Sequence, residues 1–107
     1  MSWNIEFLPE AANELKQLDG SIRPQILKGI RKVSQNPLPD GGYGKPLGNQ
    51  SGTDLSGLMK IKFRKIGIRV VYKTLITDNI MKIIIISARA DDRVYIEAEK
   101  RRKKYDI

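Results

Sequence analysis

Alternating or continuous runs of apolar side chains predict four β-strands. Trp3, Ile5 and Phe7 alternate with polar neighbours in the first of them, and four consecutive isoleucines at residues 83–86 lie in the last. A strand that is apolar on both sides should lie at the centre of a covered sheet. Short links between the last three strands predict an antiparallel meander. The predicted strands cover residues 2–8, about 54–64, 68–77 and 80–88.

Apolar side chains recur at helical spacing between the first two strands. One helix is predicted to begin at Pro9, which suits a first turn, and to end near Gly20 as a left-handed cap. A second helix is predicted over residues 22–35, with Ser21 as its N-cap and Pro37 just beyond its end. The two helices should form a hairpin that covers one face of the sheet.

The remaining segments complete an α+β architecture. Residues 37–54 are rich in proline and glycine and should form an irregular connector in which Tyr43 packs. They lack a Gly-Lys-Ser/Thr ending and lead into a strand, so this is not a phosphate-binding P-loop. Residues 93–104 predict an exposed terminal helix. We therefore predict one domain over residues 1–107, in which an N-terminal strand and helical hairpin pack on an antiparallel sheet of about four strands, followed by a short C-terminal helix.

Positive charge is concentrated in the second half of the chain. The net charge is +8, with six basic and six acidic side chains in residues 1–59 but fourteen basic and six acidic in residues 60–107. Such asymmetry is typical of proteins that bind polyanions, most often nucleic acid, while a merely solvated basic surface stays equally open. In one strand, alternation sends Lys60, Lys62 and Arg64 to a single face.

The chain has no cysteine and no histidine. These absences exclude disulfides, thiolate nucleophiles, sulfur-based zinc sites and the usual general base. Catalysis would have to use lysine, arginine, tyrosine or carboxylates, and we predict no metal and no cofactor. The longest apolar run is far too short to span a bilayer and no signal peptide is recognisable, so we expect a cytoplasmic protein without a membrane partner.

The order of strand, helical hairpin, glycine-rich loop, three-stranded meander and basic tail resembles the RelE/ParE superfamily of bacterial toxins over nearly the whole chain. The most specific part is Lys60-x-Lys62-x-Arg64, then Gly67-x-Arg69-x-Val71-Tyr72, then Arg89 and Val94-Tyr95. Members of the RelE branch carry two lysines, an arginine on the following strand, a later arginine and a tyrosine as an RNA-cleaving set. The resemblance therefore implies catalytic roles for Lys60, Lys62, Arg69, Arg89 and Tyr95.

The same resemblance implies a ribosome-dependent mRNA endonuclease, with a cognate antitoxin, the ribosome and mRNA as partners. Attack of the RNA 2′-hydroxyl on the adjacent phosphate needs a base for the hydroxyl proton and positive charge beside the extra negative oxygen. It also needs an acid for the leaving 5′-oxygen. Crowded cations favour a phenolate or a neutral lysine, so Tyr95 or one of the two lysines is the expected base. Arg69 is expected to clamp the phosphate, and Arg89 to act as acid or electrostatic partner. The roles of the lysines and Arg89 are exchangeable.

Further basic side chains around this set are predicted to contact RNA: Arg64, Lys65, Arg93, Lys100, Arg101 and Arg102. For the tail cations of residues 100–104, two interpretations stay open. They either bind RNA backbone or complement the dipole at the end of a helix.

Two other functions also stay open. The ParE branch shares the fold and inhibits DNA gyrase, generally without the full catalytic set, and an inactive member would bind RNA only. Alternation of Lys60, Lys62 and Arg64 alone is typical of any solvated strand face. Only the joint spacing of the whole set favours RNA cleavage.

Overall fold

The computed structural model describes residues 2–48, 54–88 and 93–107. It contains the predicted strands and helices in the predicted order, which confirms the α+β class. The elements are β1 (Asn4–Phe7), α1 (Pro9–Gln17), α2 (Arg23–Ser34), β2 (Leu58–Phe63), β3 (Ile68–Leu75), a 3-10 turn (Ile76–Asp78), β4 (Ile80–Ser87) and α3 (Arg93–Lys104). No helix in these described ranges is long and apolar enough to cross a bilayer.

The four strands form one sheet in the order β1-β4-β3-β2. The meander β2-β3-β4 is antiparallel and β4 lies between two neighbours, as expected. β1, however, pairs with β4 in parallel, with Phe7 beside Ile83, so the sheet is mixed rather than wholly antiparallel. No short turn joins these two strands, and a parallel pair is compatible with a long connection through other elements.

The strand β2 is shorter than predicted because its first residues form a turn. Oδ1 of Asp54 accepts hydrogen bonds from the backbone N–H of Ser56 at 3.2 Å and from its hydroxyl at 2.7 Å. Gly57 follows at φ +80°, a conformation that favours glycine. The chain therefore enters the sheet only at Leu58.

The connection between α1 and α2 differs from the prediction at both helix ends. The C-cap of α1 is Leu18, whose backbone is extended, so Gly20 is not a left-handed cap. The N-cap of α2 is Ile22 rather than Ser21, and its side chain makes no capping bond. Asp19 explains both changes, since its Oδ1 accepts from the N–H of Ser21 at 3.0 Å and its carbonyl from the N–H of Ile22 at 2.9 Å.

A β-bulge interrupts the pairing of β4 with β3. Val71 pairs with Ile85 and Tyr72 with Ile83, so Ile84 has no partner in β3. All four isoleucines of residues 83–86 are nevertheless buried, because α1 and α3 both pack against β4. The prediction that this strand lies centrally in the sheet is confirmed. The bulge leaves backbone groups that other residues must satisfy.

The helix α3 is not the exposed element that its polar sequence predicted. One side of it is buried against the sheet, through Val94, Tyr95, Ala98 and Arg101. Of the two hairpin helices, α1 packs on β4 and α2 packs against β1 and β2. This placement of α3 beside the cationic strands is what assembles the candidate site.

Candidate functional site

Three cations lie together on one face of β2 and β3. Lys62 stands directly opposite Arg69 in the antiparallel pair, and Lys60 follows on the same face, opposite Val71. Like charges directly opposite each other destabilise a sheet, and side chains at such positions lie within about 5.5 Å at Cβ. Because this arrangement costs stability in the free protein, we interpret it as a site that is completed by an anion.

The first turn of α3 adds a phenol to these cations. Tyr95 is 6% exposed, and its oxygen accepts a hydrogen bond of 2.8 Å from Nη1 of Arg69. This bond joins residues 26 positions apart and orients the half-buried guanidinium. Since the phenol acts as acceptor in this bond, its own proton remains available for another group. We call Lys60, Lys62, Arg69 and Tyr95 the cationic cluster.

The cluster shifts the acid–base behaviour of one of its lysines. The pKa of Lys62 is lowered from its ordinary value, chiefly by the charge of Lys60 and then by that of Arg69, with smaller effects of desolvation and Arg64. A cation is harder to form beside other cations, so the neutral amine is favoured. Lys62 is thus the member of the cluster that the surrounding charges move towards a free base.

The other predicted site residues are distributed unevenly. Arg89 lies outside the described residues. Arg64 and Lys65 are exposed in the turn that joins β2 to β3, beside the cluster. Arg93 and Lys100 are exposed on α3. These four side chains stay candidates for RNA contacts.

Arg101 has an internal role and is therefore omitted from the RNA surface that we propose. Its side chain is only 9% exposed and forms a bidentate ion pair with Glu14, at 2.8 Å for both contacts. It also contacts Glu97 at 3.0 Å and donates to the carbonyl of Ile84, the bulge residue, at 2.9 Å. A guanidinium held by two carboxylates and a carbonyl is not free to bind phosphate.

Arg102 is omitted for a similar reason. Its Nη1 donates to the carbonyls of Asp54 and Ser56 at 3.3 and 2.6 Å, and its Nη2 to the carbonyl of Ile107 at 3.0 Å. These bonds attach α3 to the turn before β2. Two cations of the basic tail therefore serve the fold, which the two open interpretations of the tail did not include.

Two glutamates of α1 hold α3 in place. Besides accepting from Arg101, Oε1 of Glu14 accepts from the N–H of Ile86, beyond the last residue of β4 that pairs with β1. Glu10 accepts from the Tyr105 hydroxyl at 2.8 Å and from Lys104 at 3.0 Å, and these bonds lower its pKa to about 2. Neither glutamate was among the residues predicted from the sequence. The only sequence signal for these contacts is a similar spacing on the two helices. Glu10 and Glu14 lie four positions apart on α1, and Arg101 and Lys104 lie three positions apart on α3.

No cluster of three or more residues able to hold a metal ion occurs in the part of the chain that the structure describes. The cationic cluster itself offers ammonium, guanidinium and phenol groups. These groups can bind a phosphodiester, neutralise charge on it, and exchange protons with its oxygens.

Known proteins resemble this chain in sequence and in fold. No protein-family model matches it. A protein of Escherichia coli described as a RelE-like toxin is 27% identical over 102 residues, which cover 94% of this chain and 98% of that protein.

Solved structures extend this likeness. A mutant of the E. coli toxin RelE in the free state matches with a TM-score of 0.72 and 25% identity, over 94% of this chain and 98% of its own. The RelBE2 toxin–antitoxin complex of Mycobacterium tuberculosis matches in fold with a TM-score of 0.68 and 22% identity, over 85% and 95%. In sequence and in fold this chain is similar to RelE toxins along nearly its whole length, as the motif pattern predicted.

Proposed function

We propose that this toxin is an endoribonuclease that cleaves mRNA on the ribosome without a metal ion. The observation that carries the proposal is the convergence of Lys60, Lys62, Arg69 and Tyr95, with Tyr95 and Arg69 joined by a 2.8 Å hydrogen bond. Two consecutive strands contribute to this set together with a helix that is distant from them in sequence. The cost of placing like charges opposite each other supports a role in binding an anion.

The proposed reaction is attack of an RNA 2′-oxygen on the adjacent phosphorus, with loss of the 5′-oxygen of the next nucleotide. A base takes the 2′-hydroxyl proton, and an acid returns a proton to the leaving 5′-oxygen. Arg69 neutralises the phosphate as negative charge builds on its oxygens. The products are a 2′,3′-cyclic phosphate and a 5′-hydroxyl, so atoms and charge balance without another reactant.

We propose a division of roles that the charges and the hydrogen bond of the cluster support. Lys62 is our candidate base, because its lowered pKa favours the neutral amine. Tyr95 is our candidate acid, because its oxygen already accepts from Arg69 and its proton is free for the leaving oxygen. Lys60 adds charge beside the phosphate, and Arg89 keeps the role that the resemblance implies.

Dependence on the ribosome fits the openness of this surface. The cluster lies on the face of a sheet and one helix, and in-line attack requires that the 2′-oxygen be held opposite the leaving oxygen. We propose that the ribosome supplies this orientation and that free RNA is cut poorly. The protein would then act in the cytoplasm, where translation takes place.

A cognate antitoxin is the second proposed partner. Relatives of this chain are named as members of RelBE toxin–antitoxin complexes. The net charge of +8 would favour a partner with acidic segments. Contacts of such a partner with the cationic cluster would compete directly with RNA.

The test is primer extension on a defined mRNA in a reconstituted translation reaction, with and without ribosomes. Arg69→Ala should abolish the cuts, because it removes both the phosphate clamp and the partner of Tyr95. Arg31→Ala is the matched control, since this exposed arginine on α2 lies outside the cluster.

The proposal predicts cuts inside codons that require ribosomes, survive in the control and vanish with Arg69→Ala. Equal cleavage of naked and ribosome-bound RNA would refute the dependence on the ribosome. A folded Arg69→Ala protein that still inhibits growth would instead favour the gyrase inhibition known in the ParE branch.

A further inference from the structure

A groove between α2 and β2 opens beside the cationic cluster and shares Lys60 and Lys62 with it, while its other lining residues have no role in the reaction above. Its volume is about 310 Å³, within the range of roughly 300–1,000 Å³ that is usual for small-ligand sites. Among the described residues that line it, none is acidic. It is bordered by one aromatic ring and five cations, Tyr43, Lys32, Lys45, Lys60, Lys62 and Arg64.

The loop that carries Tyr43 is firmly held, although its composition predicted an irregular connector. The N–H of Tyr43 donates to the carbonyl of Asn36 at 2.8 Å, and the N–H of Gly44 to that of Leu38 at 3.1 Å. A Cβ on Gly44 would lie 2.5 Å from the carbonyl oxygen of Pro37, so only glycine fits there. That same oxygen accepts from the buried hydroxyl of Tyr72 at 2.9 Å, which fastens the loop to the sheet.

This anchoring presents Tyr43 to solvent instead of burying it. Its side chain is 45% exposed, and the ammonium of Lys32 lies 5.4 Å from the centre of its ring. An exposed ring costs little conformational entropy when it stacks on a ligand, because the loop is already ordered. A cation beside the ring suits a ligand that carries an aromatic group and a negative charge together.

We propose that this groove is a second nucleotide subsite, in which a base flanking the cleaved phosphodiester stacks on Tyr43 and its phosphate contacts Lys45 or Lys32. The inference rests on the proposed function, because Lys60 and Lys62 border both the groove and the cationic cluster. Aromatic rings beside basic side chains are the common platform for single-stranded RNA.

A protein side chain suits the groove less well than a nucleotide does. Its apolar lining consists of Val33, which is only 8% exposed, and the half-buried Ile61. Such a lining gives little area for a hydrophobic anchor, whereas five cations around one ring match a phosphate and a base.

Binding of a fluorescein-labelled, single-stranded RNA octamer, followed by anisotropy at low salt without ribosomes, tests this subsite. Tyr43→Ala should weaken binding by about 5- to 150-fold, the effect of one stacked base, while Tyr43→Trp should preserve it. Lys45→Gln should lower the slope of log K against log salt by about 0.7, as expected for one phosphate contact. Lys28→Gln, an exposed position on α2 outside the groove, should change neither quantity.

Equal affinities of wild type and Tyr43→Ala would overturn the subsite, as would wild-type protein that does not bind the octamer. Thermal melting of each variant separates these results from loss of fold. Failure of the subsite and failure of the proposed function can be told apart, because binding is measured with free RNA and cleavage is measured on ribosomes. A protein that cuts mRNA there without needing Tyr43 keeps its function, and one that binds through Tyr43 but never cuts loses only the endonuclease proposal.

Discussion

Replacing Arg101 with methionine should destabilise the protein strongly, although the residue belongs to a run of five tail cations. The guanidinium makes four hydrogen bonds, to both oxygens of Glu14, to Glu97 and to the carbonyl of Ile84. Methionine keeps the apolar stem of the side chain and loses all four. The bulge carbonyl is then left without this donor, and α3 loses this attachment to α1.

The exposure of the partners sets the size of the effect. Breaking a buried ion pair costs about 3–5 kcal/mol, and a buried carbonyl that loses its partner costs about 1–3 kcal/mol. Glu14 and Glu97 are 27% and 43% exposed, so water can hydrate them once the arginine is gone. We therefore expect a loss of about 2–4 kcal/mol, which corresponds to roughly 8–16 °C in Tm for a domain of this size.

Urea denaturation followed by the fluorescence of Trp3 measures this loss, since the chain has one tryptophan and it is half-buried. Lys103→Met is the matched control. It breaks the pair of the exposed Lys103 with Glu99, 3.7 Å apart, and should cost less than about 0.5 kcal/mol. If Arg101→Met costs no more than this control, the internal role of Arg101 is refuted.

A double-mutant cycle separates the ion pair from general packing. Glu14→Leu combined with Arg101→Met should cost less than the sum of the two single changes, because the double variant leaves neither charge without its partner. A coupling of about 0.5–3 kcal/mol is expected for groups in direct contact. Strict additivity would contradict the ion pair.

Three further predictions concern the cluster and the end of α3. Tyr95→Phe should lower the rate of ribosomal cleavage by about 10²- to 10⁴-fold while costing only about 1 kcal/mol of stability. A fall in rate that only matches the loss of folded protein would argue against an acid role. Lys60→Ala should raise the pKa of Lys62, because it removes the largest cause of the lowering, and ¹⁵N NMR of the ammonium group would detect the change. The pKa of Glu10 falls from 4.5 to about 2 on folding, so between these values the unfolded chain binds more protons and stability should fall as the pH is lowered. Tyr105→Phe should weaken that pH dependence in urea titrations from pH 2 to 6. An unchanged slope of stability against pH would refute the role of the Tyr105 hydroxyl in lowering the pKa of Glu10.

The spacing of apolar and polar side chains along the chain predicted most of the strands and helices. Alternation in residues 58–63 depends only on neighbouring residues, so it predicted both the strand and the shared face of Lys60 and Lys62. The antiparallel meander followed from links too short for any other connection. The ends of the elements were less predictable, because Asp19 forms a turn that displaces the expected caps at Gly20 and Ser21.

In the basic tail, the local sequence does not determine which cations are buried. Arg101 and Arg102 belong to the same basic run as Lys100 and Lys103, and composition gave no means to separate them. Arg101 is buried because α3 turns it towards Glu14, which lies 87 positions away in sequence. The parallel pairing of β1 and the bulge at Ile84 likewise depend on distant segments.

The sequence by itself therefore determined the fold class, the position of most strands and helices, the family resemblance and the identity of the candidate chemical groups. These depend on residue type and on spacing along a single segment. Tertiary structure alone decided that Tyr95 meets Arg69, that Arg101 and Arg102 support the fold, and that Tyr43 faces solvent from an anchored loop. Each of these outcomes is set by packing between segments far apart in the chain, where local periodicity carries no information about which residues meet.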